Sequence, residues 1–520
     1  MEETSVGRGT VSLFLANILS LVFSTLYFVI LTNTIRSTIK VGIVTSLNIF
    51  IWFFVLICLL AQPLVQGGPI PAPMAVLKFV PKFLAKNERN AANKVFMVSL
   101  AFSALAGAVT AGVLVSQPTL VISLLGGEAV LPEYVRLSAV DILFVSVSQV
   151  CLGAIFALGD TKVGAIYIVM WSICRAALAS ILLVLFGVVG VLIGWIGGDI
   201  FLFLIALRKT LQHFVGQVGI GGFSGKDYAF YGMYTLLAAL LGFIISQADR
   251  LITLWQSGLS GLAIYNVASV GSGVAGYAPA ALVALLLPVL AALSASDRKR
   301  DMPGIIHSST RYVSLLVIPF AFGLAGAMEI PLRMFGPDYV AGLLPAIILS
   351  VATGLTALGA VYAGALLALG KLRWYAVANV LGLITFFAVA GVVTPLVGLS
   401  GPALGRAGLM VVATIVYAFG TFKAGIFEID SKGFLASVIG STAMMFVIFS
   451  MLSLLHNFLL KIVFSPAILV VGLLVYIESL RAFRLVEVSD IDFIRRMLPH
   501  RLHAFLPTLA WLFGLNYSIK

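Results

Sequence analysis

Long apolar runs alternate with short polar joints along the whole chain, and most of the charge sits in the joints. About 20 apolar residues suffice for a helix to cross a bilayer. A barrel strand would instead alternate polar and apolar over about ten residues. The runs here are continuously apolar, which predicts helices. Fourteen spans are expected, at 10–33, 41–63, 95–116, 138–158, 163–187, 188–207, 228–248, 263–292, 305–328, 342–369, 375–395, 400–422, 433–455 and 458–480. The fold class that follows is an all-α integral membrane protein.

Composition agrees. Of 520 residues, 61% are hydrophobic and 10% charged, whereas a soluble domain carries about 25% charged residues. A water-soluble enzyme, a disordered chain and a secreted disulfide scaffold are excluded. Cys58, Cys151 and Cys174 lie inside apolar runs, so neither a disulfide framework nor a metal site is expected. No Walker-type or Gly-rich phosphate loop is present, and no cofactor is expected. Glu2 and Glu3 precede the first run, with no small-residue cleavage site, so no cleavable signal is expected.

The net charge of +12 is scattered among the joints without an aromatic-interleaved stripe, which argues against nucleic acid. It sets orientation instead. Lys and Arg gather in the inner joints of a protein with cytoplasmic termini, twenty-three against five, the five being Arg36, Lys40, Arg136, Arg250 and Arg333. The protein is therefore expected in the cell membrane, multi-pass, with both termini cytoplasmic. In the tail 485–520, Ile491, Ile494, Leu498, Leu502 and Phe505 fall at helical spacing among arginines. That is the pattern of an amphipathic helix on the inner leaflet, though Pro499 would divide it.

The chain also repeats itself. GAIFALGDTK (153–162) matches GALLALGKLR (364–373) at an offset of 211, and VGVLIGWIGGD (189–199) matches VGLSGPALGRA (397–407) at 208. Glu133-Tyr134-Val135 matches Asp338-Tyr339-Val340 at 205. A six-span unit duplicated in tandem enters from the same side twice, so the repeats are parallel. The expected domains are an N-lobe (1–207), a cytoplasmic linker (208–227), a C-lobe (228–422), a two-helix appendix (423–484) and the tail (485–520). Two such lobes suit alternating access, one rocking against the other.

With SQADRLITLW closing the seventh span, AIYNVA opening the eighth, FGPDYVAG before the tenth and ALGK ending it, the chain resembles the multidrug/oligosaccharidyl-lipid/polysaccharide exporter superfamily. It resembles most the polysaccharide-biosynthesis, or O-antigen-type, flippases; Ala263 stands where that family more often has Gly. The resemblance implies a flippase that carries a lipid-linked, pyrophosphate-bearing glycan to the outer leaflet, with membrane lipids and polysaccharide-assembly enzymes as partners and no catalysis of its own.

Ionisable side chains inside a bilayer are costly and face a partner or a cavity. Arg175 and Asp199 lie on the fifth and sixth spans, each about 16–18 Å below the outer surface, and can meet as a structural pair or face substrate. Arg406 lies six to nine residues into the twelfth span, which supplies no acid of its own. It is the leading candidate for phosphate recognition, since Arg offers a forked donor set; the alternative is snorkelling to the outer interface. The offset of 208 places Gly198 at the corresponding position of the first half. Asp249 and Arg250 end the seventh span, where anchoring and gating are both open. Tyr265 and Asn266, with Asn17 and Gln247, offer hydrogen bonds to sugar hydroxyls.

Two rivals remain. A cation-coupled multidrug exporter would need a deep carboxylate. Asp199 is the only one expected, because Asp141 is read as lying near the outer end of its span. A glycosyltransferase or ligase would need acidic pairs on a large external loop to hold a metal, and the longest external joint, 117–137, offers only Glu128 and Glu133.

Overall fold

The computed structural model describes residues 2–59, 62–63, 71–72, 74–214, 225–277, 299–483 and 485, with 279, 286, 289–290 and 292–294 in between. Among them the chain is helical, apart from short turns and a two-residue antiparallel bridge of Gln62–Pro63 with Pro71–Ala72. The sequence-predicted tail helix over 485–520 and most of the linker lie outside the described residues.

Twelve described helices are long and apolar enough to span a membrane, where the sequence predicts fourteen spans. The difference lies in two places where an expected pair runs as one helix turning back on itself. Helix α7 (Thr161–Phe214) reverses at Gly187 and helix α8 (Gly225–Gly273) at Gly258. Both glycines have positive φ, +60° and +68°, a region side-chain-bearing residues largely avoid.

Two compact units divide the chain, Met1–Asn266 and Val267–Lys520. In the first, α6 (Pro132–Ala157) is the buried centre. It packs against α2 (Thr38–Leu59), α4 (Arg89–Ser116), α7 and the short α3 (Met74–Ala85), while α1 (Glu2–Ile35) lies along α7. A seven-residue helix, α5 (Thr119–Leu125), precedes α6.

In the second unit, α9 (Met302–Gly326), α10 (Glu329–Phe335), α11 (Leu343–Thr356) and α12 (Leu358–Ala368) lead to the pair α13 (Leu372–Val397) and α14 (Ser400–Lys423). The last two helices, α15 (Ser431–Ser453) and α16 (Phe458–Ala482), are pinned to this unit near both ends. At one end Arg311 reaches Asp430 at 3.2 Å and donates to the Leu485 carbonyl at 2.6 Å. At the other, Lys461, 5% exposed, straddles both oxygens of Glu329 at 2.7 and 2.8 Å. Between them Tyr476 donates to the Leu315 carbonyl.

The internal repeat is legible in backbone geometry. Helix α6 spans 132–157 and α11–α12 together span 343–368, an offset of 211 at both ends. Gly159 and Gly370, both with positive φ, close the two segments with matching backbone hydrogen bonds. Gly187 (φ 60°, ψ −136°) and Gly398 (φ 60°, ψ −132°) turn the two following hairpins. Two sequence landmarks are therefore out of register. Glu133-Tyr134-Val135 opens α6, whereas Asp338-Tyr339-Val340 sits in a 3-10 turn (Pro337–Gly342) ahead of α11. The second is the offset of 208 in the glycine-rich segment: at 211 the partner of Arg406 is Trp195, not Gly198.

Candidate functional site

A glycine stripe brings the first cluster together. Gly190, Gly194 and Gly198 recur every four residues on the second arm of α7, so they share one face. A methyl at Gly190 would overlap the Leu182 carbonyl, one at Gly194 the Ala179 backbone, and one at Gly198 would come within 2.8 Å of the Arg175 Cα. The arms therefore touch backbone to backbone, and the residue after Gly198 is carried beside Arg175.

That residue is Asp199. Its Oδ2 lies 3.6 Å from Arg175 Nη1, and its Oδ1 accepts from Trp171 Nε1 at 2.7 Å. Arg175 also donates through Nη2 to Asp141 Oδ2 at 3.2 Å. Both carboxylates are fully buried, and the Arg175 side chain is 11% exposed. Three indoles surround the guanidinium, at 4.9 Å (Trp195), 5.5 Å (Trp171) and 6.0 Å (Trp52) from the ring centroids. Each face-on approach adds cation–π attraction.

The expected Arg175–Asp199 encounter occurs, but its stoichiometry differs. Asp141 is a second deep carboxylate: α6 begins at Pro132, which carries Asp141 about 14 Å along the helix. One guanidinium facing two carboxylates leaves the cluster with formal charge −1, and Asp141 Oδ1 accepts no hydrogen bond among the described residues. A signal for Asp141 existed in the sequence. Ser138, Asp141 and Ser148 fall three and seven residues apart, so they line one face of the helix.

The second cluster gathers four more predicted residues at the α8 turn. Tyr265 donates to Asp249 Oδ2 at 3.1 Å, and the Arg250 amide donates to Asp249 Oδ1 at 3.0 Å. Arg250 Nε donates to Asn266 Oδ1 at 2.9 Å and its Nη1 to Gln247 Oε1 at 3.0 Å. Tyr265 is fully buried and Asp249 nearly so. These groups bind one another across the two arms of α8. Beyond them, the tip of the turn docks on the first unit's other helices. Leu259 fits where Gly42 of α2 and Gly126 after α5 leave no room for a Cβ, and Thr38 shares a 2.7 Å hydroxyl bond with Ser260.

Arg406 lies in the second unit, partly buried in the first turns of α14. The structure thus gathers six of the seven predicted residues into two clusters of the first unit, with Arg406 in the other.

Comparisons with known proteins fit this architecture. A family model described as polysaccharide biosynthesis protein matches residues 82–336. Among solved structures, the lipid II flippase MurJ in an inward closed conformation superposes with a TM-score of 0.67 at 15% identity, over 91% of this chain and 99% of that one. An inward-facing multidrug resistance MATE family transporter of the MOP superfamily gives 0.64 at 16% identity, over 81% and 98%. A MOP superfamily transporter from Pyrococcus furiosus gives 0.53 at 16%, over 81% and 96%. No curated protein sequence matches.

The fold is that of the MOP-superfamily membrane transporters and flippases. Within that class, the polysaccharide-biosynthesis resemblance read from the sequence is met by the family model over the middle of the chain.

Proposed function

We propose that this protein is a flippase that moves a lipid-linked oligosaccharide or polysaccharide unit from the cytoplasmic to the outer leaflet by alternating access. One observation carries the reading: a chain matched by a polysaccharide-biosynthesis model has the fold of a lipid flippase over nine-tenths of its length. The distribution of basic residues supports cytoplasmic termini. The repeat supports an N-lobe over 1–207 and a C-lobe over 228–422, joined by 208–227 and followed by the appendix 423–484 and the tail 485–520.

In this reading Arg406 binds the substrate's pyrophosphate. It is a guanidinium on a membrane-spanning helix that contains no acidic residue. Arg175 is the second candidate, and it faces two carboxylates, Asp141 and Asp199. The Asp249–Arg250–Tyr265–Asn266 network is proposed to hold the α8 turn for substrate. Polysaccharide-assembly enzymes are the partners that would supply and use the cargo, and the protein itself catalyses nothing.

The test is lectin accessibility of a lipid-linked oligosaccharide in proteoliposomes, where protein-dependent exposure is expected and none would refute the reading. The α8 tip supplies a control. If alternating access must release that contact, a Thr38→Cys/Ser260→Cys disulfide should stop flipping, and reduction should restore it. Full activity of the cross-linked protein would show that this contact never opens.

A second reading, a cation-coupled exporter, is favoured by a specific observation: two buried carboxylates share one guanidinium, the excess negative charge a coupled cation needs. Imposed Na⁺ and proton gradients distinguish it, since only a coupled carrier responds to one of them.

A further inference from the structure

Helix α3 is a basic strip whose apolar side is already used. Ala75, Val76, Val80 and Phe83 are buried, and α3 packs against α4 and α6. The opposite face exposes Lys78 and Lys82, one turn apart, and the following bend exposes Lys86 and Arg89. Glu88 is the single acid among residues 74–94. Lys78 is held in place: its Nζ stands 3.7 Å from the centroid of the Tyr231 ring at the start of α8, and Phe79 meets the same ring edge-on at 5.6 Å. Lys82, Lys86 and Arg89 make no ion pair among the described residues.

We propose that α3 and the bend to Arg89 form a docking ledge for the acidic headgroups of phospholipids in the cytoplasmic leaflet. The apolar face is spent on protein, so the helix cannot insert into lipid as a free amphipathic helix would. Charge is what it has left to offer. Its position selects the partner: α3 lies in the joint between two spans, and α4, the second of them, starts at Arg89, so the four cations belong to the segment that leads into a span. Cations clustered just cytoplasmic of a span attract anionic lipid, each multiplying affinity about fivefold. The Lys78–Tyr231 contact ties the strip to the first turns of α8, so a bound headgroup would steady that end of the helix. The cytoplasmic side rests on the orientation proposed above; the binding itself does not.

The experiment uses the full-length protein in nanodiscs of phosphatidylcholine with increasing phosphatidylglycerol, which expose both leaflets and need no flipping assay. Retained phosphatidylglycerol is counted by native mass spectrometry, and thermal unfolding is followed at low and high salt. The test variant is Lys82→Gln/Lys86→Gln/Arg89→Gln, with Lys78 kept because it packs on Tyr231. The control removes the same charge elsewhere, as Lys162→Gln/Arg208→Gln/Lys371→Gln. The parent and the control are expected to retain phosphatidylglycerol in a salt-sensitive way. The test variant should lose about a hundredfold in affinity, the product of three fivefold losses, yet unfold normally in pure phosphatidylcholine. Equal retention by parent and test variant would overturn the ledge, as would an equal loss in the control. Full displacement by millimolar soluble pyrophosphate would overturn the lipid assignment and leave a free-phosphate site. Failure of the flippase reading would leave every one of these outcomes standing.

Discussion

The hairpin in α7 and the pair α13–α14 are the same backbone device carrying different chemistry. Each turns at a glycine with φ of 60° and ψ near −135°. Each then packs a glycine against the preceding arm three residues on, Gly190 over the Leu182 carbonyl and Gly401 over Thr394. At an offset of 211, however, Arg175 becomes Phe386, Asp199 becomes Met410 and Asp141 becomes Ala352. Phe386 is fully buried, packed on the face of Gly405. The two halves thus share what backbone proximity requires, a glycine where two helices touch, and differ in the neighbouring side chains. One half holds a buried charge cluster, the other an apolar seam.

The sharpest way to break the comparison is to remove the charge from one half only. Arg175→Gln strands two buried carboxylates and should cost about 3–5 kcal/mol. The matched change Phe386→Leu keeps an apolar seam and should cost under about 1.5 kcal/mol. Asp199→Asn should fall between them, because Asp141 still pairs with Arg175. Adding Asp141→Asn and Asp199→Asn to Arg175→Gln should recover much of the loss. Thermal unfolding in detergent reads all of these, and a triple variant no more stable than Arg175→Gln would sink the shared-charge account.

A smaller and symmetric effect is expected from the glycines. Gly190→Ala and Gly401→Ala each force a methyl into backbone, at about 1–3 kcal/mol apiece. If one were harmless and the other severe, the two turns would not be the same device.

The last contrast lies where the halves read Trp195 against Arg406. Arg406→Ala should lose most flipping of a pyrophosphate-linked glycan per folded protein. Arg406→Lys should keep part of the activity, because the charge survives and the forked geometry does not. Unchanged flipping per folded protein in Arg406→Ala would remove this residue from the site.

Much of the architecture was legible from the chain alone. Continuous apolar runs dictate membrane helices, because hydrocarbon leaves backbone groups no partner outside the helix. The repeat and the pairing of Arg175 with Asp199 were readable from local spacing and sequence neighbours, whereas the exporter-superfamily fold was readable only through the resemblance of short motifs. Tyr265 and Asn266 were also among the predicted residues, though their union with Asp249 and Arg250 depends on the reversal at Gly258. What only the tertiary structure decided is how elements distant in sequence meet. Asp141 looked peripheral because depth was counted from the apolar boundary, whereas α6 begins earlier, at Pro132. Its partner Arg175 stands 34 residues away on another helix. Trp52, from a third helix, completes the indole wall around that guanidinium. The true register of the repeat likewise emerged from helix ends and turn dihedrals, since Gly/Ala/Leu-rich segments match at several offsets and only backbone geometry selects one. Periodicity and composition report what each helix does with water and lipid. Which buried charge faces which is a matter of packing, and packing is settled between helices.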